Sequence, residues 1–349
     1  MTVSFGLVGC GGAAVDLAAA IDKVPDARIA AAFDRRIDNA KDLAGSRGAT
    51  VHDDLDALLS DDAVDIVYIG LPHDVLAPTA TKAIDAGRHV LVEKPMALTV
   101  EAIRELERAA AARGVLAGVV FETRHVAAIG AARDLIRSGA IGSVRAIRIQ
   151  TVIDKPARYW QSGATGRVAD DWRAHRERAG GGVLLMNSIH QLDVVRWLTG
   201  REFVRATGDV ALAGDGIDVE DRASATLRLD DDTIVSLTAT ASSPGATDQE
   251  RIEIDGTHGR LDLPDPYSDD PAQLYLGHIW EGLASGRWHP IDPEPVDPYV
   301  PFVEAVTAAV SGRTAMPATT RDAAAALATV LAVYESAATG RAVDIDMPR

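Results

Sequence analysis

Two short stretches carry side chains suited to moving a proton to and from an alcohol. Glu93-Lys94-Pro95 follows Arg88-His89-Val90-Leu91-Val92, an apolar run that reads as a β-strand. A lysine leaving such a strand aims its ammonium at the rim where open α/β sheets take ligands. There it would stabilise the alkoxide that develops when a hydroxyl-bearing carbon loses hydride, and Pro95 fixes the direction of the chain beyond it. The second stretch runs from Gly180-Gly181-Gly182 to His190-Gln191-Leu192-Asp193. Three glycines permit close backbone approach, and a helical pattern expected over 182–198 follows. On it Met186, Asn187, His190 and Asp193 share one flank, while Leu185, Ile189 and Leu192 face a core. An imidazole there suits a proton acceptor working near neutral pH. An isolated lysine is ordinarily a surface ion pair and a lone helical histidine ordinarily structural. The rim position and the triple glycine set these two apart.

A hydride acceptor is implied at the start of the chain. Phe5 to Val8 reads as a buried strand, Gly9-Cys10-Gly11-Gly12-Ala13-Ala14 breaks it, and a helical pattern continues to Ile21. The spacing G-x-G-x-x-A is a dinucleotide fingerprint. Gly9 allows the turn, Gly11 lets backbone approach a pyrophosphate, and Ala14 lets helix and strand close together. The helix start then offers N–H groups and a positive dipole end to phosphate. Asp34 ends a second strand, Ala27–Phe33, 20 positions after Ala14. Its carboxylate suits ribose hydroxyls and favours NAD, while Arg35 and Arg36 beside it keep NADP open. Leu71-Pro72-His73, leaving a strand at Val64–Ile69, joins Glu93 and Lys94 on the same cofactor rim. No spacing of His, Cys, Asp and Glu suggests a metal site.

These side chains must be positioned by two kinds of domain. Strand and helix alternate through residues 1–121, which predicts a Rossmann domain with a doubly wound parallel sheet. From 122 to 349 the pattern becomes α+β. Period-two runs at Val144–Val152, Phe203–Leu212, Ala223–Leu229, Thr233–Ala239 and Arg251–Ile254 predict a large, mostly antiparallel open sheet. Its freer face suits a subunit interface. Leu263–Pro298 is proline-rich and reads as irregular, and helices follow near 301–311 and 320–338, where packing back onto the first domain is open. The chain has 349 residues, 47% of them hydrophobic, and a net charge of −16. An acidic surface argues against nucleic acid or anionic membrane as partner. Cys10 is the sole cysteine, so the fold needs no disulfide; it reads as a small filler in the turn, with a reactive thiol as the alternative. With no signal sequence or apolar span in view, the expected location is cytoplasmic.

With these motifs together, the chain resembles the glucose–fructose oxidoreductase and inositol dehydrogenase (Gfo/Idh/MocA) family nearly end to end. The resemblance rests on the opening fingerprint, Asp34, Glu93-Lys94-Pro95, the triple glycine leading to His190 and Asp193, and Tyr334-Glu335-Ser336-Ala337-Ala338-Thr339-Gly340-Arg341. It implies an NAD(P)-dependent enzyme oxidising a secondary hydroxyl of a sugar, sugar derivative or cyclitol, assembled as a homodimer or homotetramer through the second sheet. It further implies that Lys94 contacts the reacting hydroxyl and His190 accepts its proton. Asn187, Asp193, Arg124, Tyr159, Trp172 and Arg173 fall in segments similar to the family's substrate wall. Two positions depart from the pattern: Met186 stands where many members carry aspartate, and Leu76 where many carry histidine. Two further readings stay in view: an NAD-assisted glycosidase or lyase using transient oxidation, and a sugar-sensing regulator without turnover.

Overall fold

The computed structural model describes residues 2–346 apart from 169, 215, 247, 248, 267, 269, 292 and 295. Among the described residues the strands form two sheets. The first has six strands: β1 (Val3–Val8), β2 (Ala27–Phe33), β3 (Thr50–His52), β4 (Ile66–Ile69), β5 (His89–Val92) and β6 (Ala117–Val119). They lie in the order β3-β2-β1-β4-β5-β6, all parallel. The order reverses between β1 and β4, which puts the loops leaving those two strands at the ligand-binding switch point of a doubly wound sheet. Continuous apolar runs such as Ile66-Val67-Tyr68-Ile69 form these strands because helices cover both faces. Thr99 caps the helix Val100–Arg113 by accepting from the Ala102 amide, and Gly114 ends it at φ 66°. The helix after β4 begins at His73, earlier than its apolar pattern suggests. Pro72 occupies the N-cap and sets the entry angle.

The second sheet adds β7 (Val144–Val152), β8 (Phe203–Gly214), β9 (Ile217–Leu229), β10 (Ile234–Thr240), β11 (Gln249–Gly256), β12 (Gly259–Leu263), β13 (Ala272–Leu276), β14 (Arg287–Ile291) and β15 (Val343–Asp344). Their order is β14-β13-β12-β11-β7-β10-β9-β8-β15, antiparallel throughout except for β7 with β10. Alternation along β9 buries Ala223, Ala225 and Leu227 while Ser224, Thr226 and Arg228 face outward. Part of the stretch expected to be irregular is sheet. Ala272-Gln273-Leu274-Tyr275-Leu276 alternates over too few residues to stand out. Pro290 sits in the edge strand β14, where a missing N–H is tolerated.

The chain divides into two compact units. One comprises 1–122, 157–180 and 297–324, the other 123–156, 181–296 and 325–349. The first is therefore discontinuous in sequence. Its core joins Phe5, Leu7, Leu17 and Tyr68 to Phe302, Val303 and Val306 of the helix Tyr299–Val310. No described helix is long and apolar enough to cross a membrane.

Candidate active site

The glycines of the opening turn serve two different purposes. Gly9 has φ 87°, and a Cβ there would collide with the Gly70 carbonyl and sit 2.8 Å from Leu71 Cδ2. The fold itself needs that glycine. Gly11 has φ −75° and ψ −163°, which any residue adopts. Among the described residues a Cβ there would meet only Val168, at an ordinary 3.6 Å. The fold does not require glycine at 11, so a reason lies outside the chain. No side chain caps the helix Gly12–Ile21 that starts there, and its first amides, from Gly12 and Ala13, suit phosphate. The residues thus fit a dinucleotide pyrophosphate. Gly11→Ala should therefore fold with native stability yet weaken NAD binding by about tenfold or more, the consequence of losing roughly 1.4 kcal/mol of contact. Calorimetry checks this; unchanged affinity would separate the turn from the cofactor.

Asp34 lies at the end of β2 as expected. Its carboxylate accepts from the Cys10 amide at 2.7 Å and the Arg36 amide at 2.8 Å, which ties strand to turn. Burial, with the Asp34 charge adding to it, pushes the Cys10 thiol up to about 12. It is the filler, not a reactive thiol. The segment 157–180 packs in this unit and was not foreseen here. Arg167 donates from Nε to the Cys10 carbonyl at 3.1 Å and pairs with Asp42 at 2.7 Å. Arg36 donates to the Arg167 carbonyl at 3.0 Å, and Arg35 lies 3.4 Å from Asp170. Both arginines that kept NADP open thus have partners on this segment.

At the far end of the rim, Glu93 continues from β5 and accepts a hydrogen bond from Tyr68 at 3.0 Å. The Lys94–Pro95 peptide is cis, and Met96 follows at φ 73°. Burial pushes the Glu93 carboxyl up to about 7, against the pull of the Lys94 ammonium. His73 donates from Nδ1 to the Ala179 carbonyl at 2.7 Å, with its ring 4.5 Å from that of Trp172. Burial, then the charges of Lys94 and Arg173, lowers it to about 3, so the imidazole is neutral. At 6% exposure its ring braces the 157–180 segment. Tyr159, Trp172 and Arg173 gather on that same segment.

In the second unit the expected single helix is a π-helical turn, Leu184–Ser188, followed by an α-helix, Ile189–Thr199. Every residue from 181 to 196 is buried except Asn187 and His190. The flank expected from a 3.6-residue period therefore narrows to these two, because the wider π turn offsets residues before Ile189 from those after it. Met186 is buried.

The triple glycine has a cause that its sequence does not show. Glu220, 2% exposed, accepts from the Gly182 amide at 2.7 Å, the Leu184 amide at 3.0 Å and the Tyr334 hydroxyl at 2.8 Å. A Cβ at Gly181 would lie 2.7 Å from Tyr334 Cζ, and one at Gly182 the same distance from the Glu220 carbonyl carbon. What approaches this backbone is the protein itself, and Glu220 anchors the start of the helix that presents His190. Burial raises the Glu220 carboxyl and the three hydrogen bonds oppose the rise. Asp193 and Arg124, both expected at the substrate wall, lie together. At 1% and 6% exposure they form a bidentate ion pair of 2.6 and 2.5 Å, and Arg196 lies 3.6 Å from the same carboxylate. Buried charges need such partners, so the pair braces the helix.

A glycine turn at the switch point of a parallel, doubly wound sheet defines a dinucleotide-binding fold. Known proteins agree. The GFO/IDH/MocA oxidoreductase family, NAD-binding Rossmann fold, matches residues 3–121, and its C-terminal domain matches 129–262. The chain is 31% identical over 294 residues to 1,5-anhydro-D-fructose reductase of Ensifer adhaerens, covering 84% of this chain and 83% of that protein. GenD2 from gentamicin A biosynthesis, solved in complex with NAD, is 28% identical with a TM-score of 0.82, covering 99% of this chain and 97% of that one. Levoglucosan dehydrogenase, solved with NADH, covers both chains fully at TM-score 0.87 and 22% identity, which shows the shared fold. The chain belongs to the Gfo/Idh/MocA family. It is an NAD(P)-dependent oxidoreductase acting on CH–OH groups, and NAD is its cofactor.

Proposed function

We propose that this protein oxidises a secondary hydroxyl of a sugar, sugar derivative or cyclitol. The observation that carries this reading is the isolated exposure of Asn187 and His190 on an otherwise buried stretch. Bound NAD supplies the hydride acceptor. Lys94 holds the reacting oxygen and stabilises its developing negative charge. His190 takes the hydroxyl proton at an imidazole nitrogen, and Asn187 orients the substrate by hydrogen bonding. Reduction of the ketone runs through the same groups in reverse. The first unit serves as the dinucleotide-binding domain and the second as the substrate-binding and oligomerisation domain. The outward face of β9, with Ser224, Thr226 and Arg228, is our candidate contact in a homodimer or homotetramer.

The test is stopped-flow absorbance of NADH after mixing the NAD-loaded protein with a panel of sugars and cyclitols. At least one should give net NADH. A sugar that binds without hydride transfer in a single turnover would identify a sensor and sink the dehydrogenase reading. Conversion of a glycoside with NADH formed and then consumed would point to transient oxidation.

A further inference from the structure

Arg167 ties its segment to the cofactor turn in both directions. Its guanidinium donates from Nε to the Cys10 carbonyl at 3.1 Å, from Nη1 to Asp42 at 2.7 Å and from Nη2 to the Asn39 carbonyl at 3.4 Å. Its own carbonyl accepts from Arg36 Nη1 at 3.0 Å and from Asn39 Nδ2 at 3.2 Å. Thr165 and Val168 lie against the glycines of the turn. A Cβ at Gly12 would come 3.0 Å from Thr165 Cγ2, and one at Gly11 3.6 Å from Val168 Cγ2. Residues 165–168 thus form a strap seated on the turn Gly9–Ala14 and on the helix Ile37–Gly45 that follows Asp34.

The strap bears on which dinucleotide Asp34 can accept. That carboxylate takes the Cys10 and Arg36 amides, which leaves acceptor capacity for the ribose hydroxyls of NAD. NADP carries a phosphate on the 2′-oxygen, and a phosphate beside a carboxylate needs an arginine to hold it. The two arginines that directly follow Asp34 are Arg35 and Arg36, and the strap and its continuation engage both. Arg36 is held by the Arg167 carbonyl, and Arg35 lies beside Asp170. Arg167, the third cation at this end, is itself committed to Asp42. We propose that Arg167 is a specificity-determining residue for the cofactor: it anchors the strap that withholds Arg36 from a 2′-phosphate, so that the protein takes NAD and rejects NADP. This concerns cofactor choice and is independent of the substrate proposed above.

The experiment measures the Kd of NAD and of NADP by calorimetry, with no sugar present. It uses native protein, Arg167→Ala, Asp42→Asn, and Arg167→Ala combined with Arg36→Ala. Native protein should bind NAD about tenfold or more tightly than NADP. Arg167→Ala should narrow that ratio by about tenfold, mainly through tighter NADP, the factor expected of one hydrogen bond to a charged group. Adding Arg36→Ala should restore the native ratio, because the cation that the strap released is then gone. Asp42→Asn loosens the same anchor at an exposed side chain. It should move the ratio in the same direction by less, and it decides the matter if Arg167→Ala does not fold. Native protein that binds NADP as tightly as NAD would overturn the proposal. So would a ratio that neither Arg167→Ala nor Asp42→Asn changes, or a gain in NADP affinity that survives the loss of Arg36. Equal weakening of both dinucleotides in Arg167→Ala would make the residue merely structural and overturn the proposal as well.

Discussion

Replacing Lys94 or His190 by alanine is expected to cut turnover by ~10²–10⁴, the range for loss of one positioned acid–base or charge-stabilising group. Both side chains are partly exposed, so truncation empties no buried cavity. Lys94 ends the β5 rim after Glu93, and its loss removes a cation from the point where an oxygen would gain charge. His190 loses the imidazole that receives the proton. Neither variant touches the turn at Gly9–Ala14 or Asp34, so NAD affinity should stay near native in both. Steady-state rates on the best substrate of the panel, together with NAD titrations, check the result. Native-like turnover in either variant would remove that residue from the chemistry, and a parallel collapse of NAD affinity would relocate its role to the cofactor.

Gly182→Ala is expected to destabilise the second unit by ~3 kcal/mol or more, a large share of the ~5–15 kcal/mol that keeps a domain folded. The new Cβ would overlap the Glu220 carbonyl and lie 2.7 Å from its carbon and 3.0 Å from its nitrogen. These are backbone atoms of β9 and cannot rotate aside. Relief requires the 181–184 turn to move, which breaks the bonds from the Gly182 and Leu184 amides to Glu220 and displaces the helix carrying His190. Activity should therefore fall with stability. Gly130→Ala makes the contrast: Gly130 lies in the helix Ala127–Ser138 with nothing within 4 Å of a Cβ. That change should stabilise by about 0.5–1 kcal/mol through helix propensity. Denaturant midpoints decide both. A Gly182→Ala protein as stable as native would show that the glycine answers to something other than Glu220.

What the sequence determined by itself was local. The strand, Gly9 turn and helix Gly12–Ile21 are contiguous, and Asp34 follows at the end of the next strand. The caps at Thr99 and Gly114 act within a few residues of their helix. Over such spans, hydrophobic period and turn chemistry settle the structure, and the Rossmann half is legible from them. Tertiary packing alone decided the rest, because its causes are far apart in the chain. Arg167 reaches the Cys10 carbonyl across 157 positions, and Tyr334 reaches Glu220 across 114. No local pattern in 157–180 shows that it packs with the first unit. Asp193 finds Arg124 69 positions away, in a buried ion pair that no local pattern announces. The triple glycine announces a close approach, but its sequence is equally compatible with a substrate or with the protein's own backbone. Steric exclusion by Glu220, 38 positions beyond Gly182, made that choice.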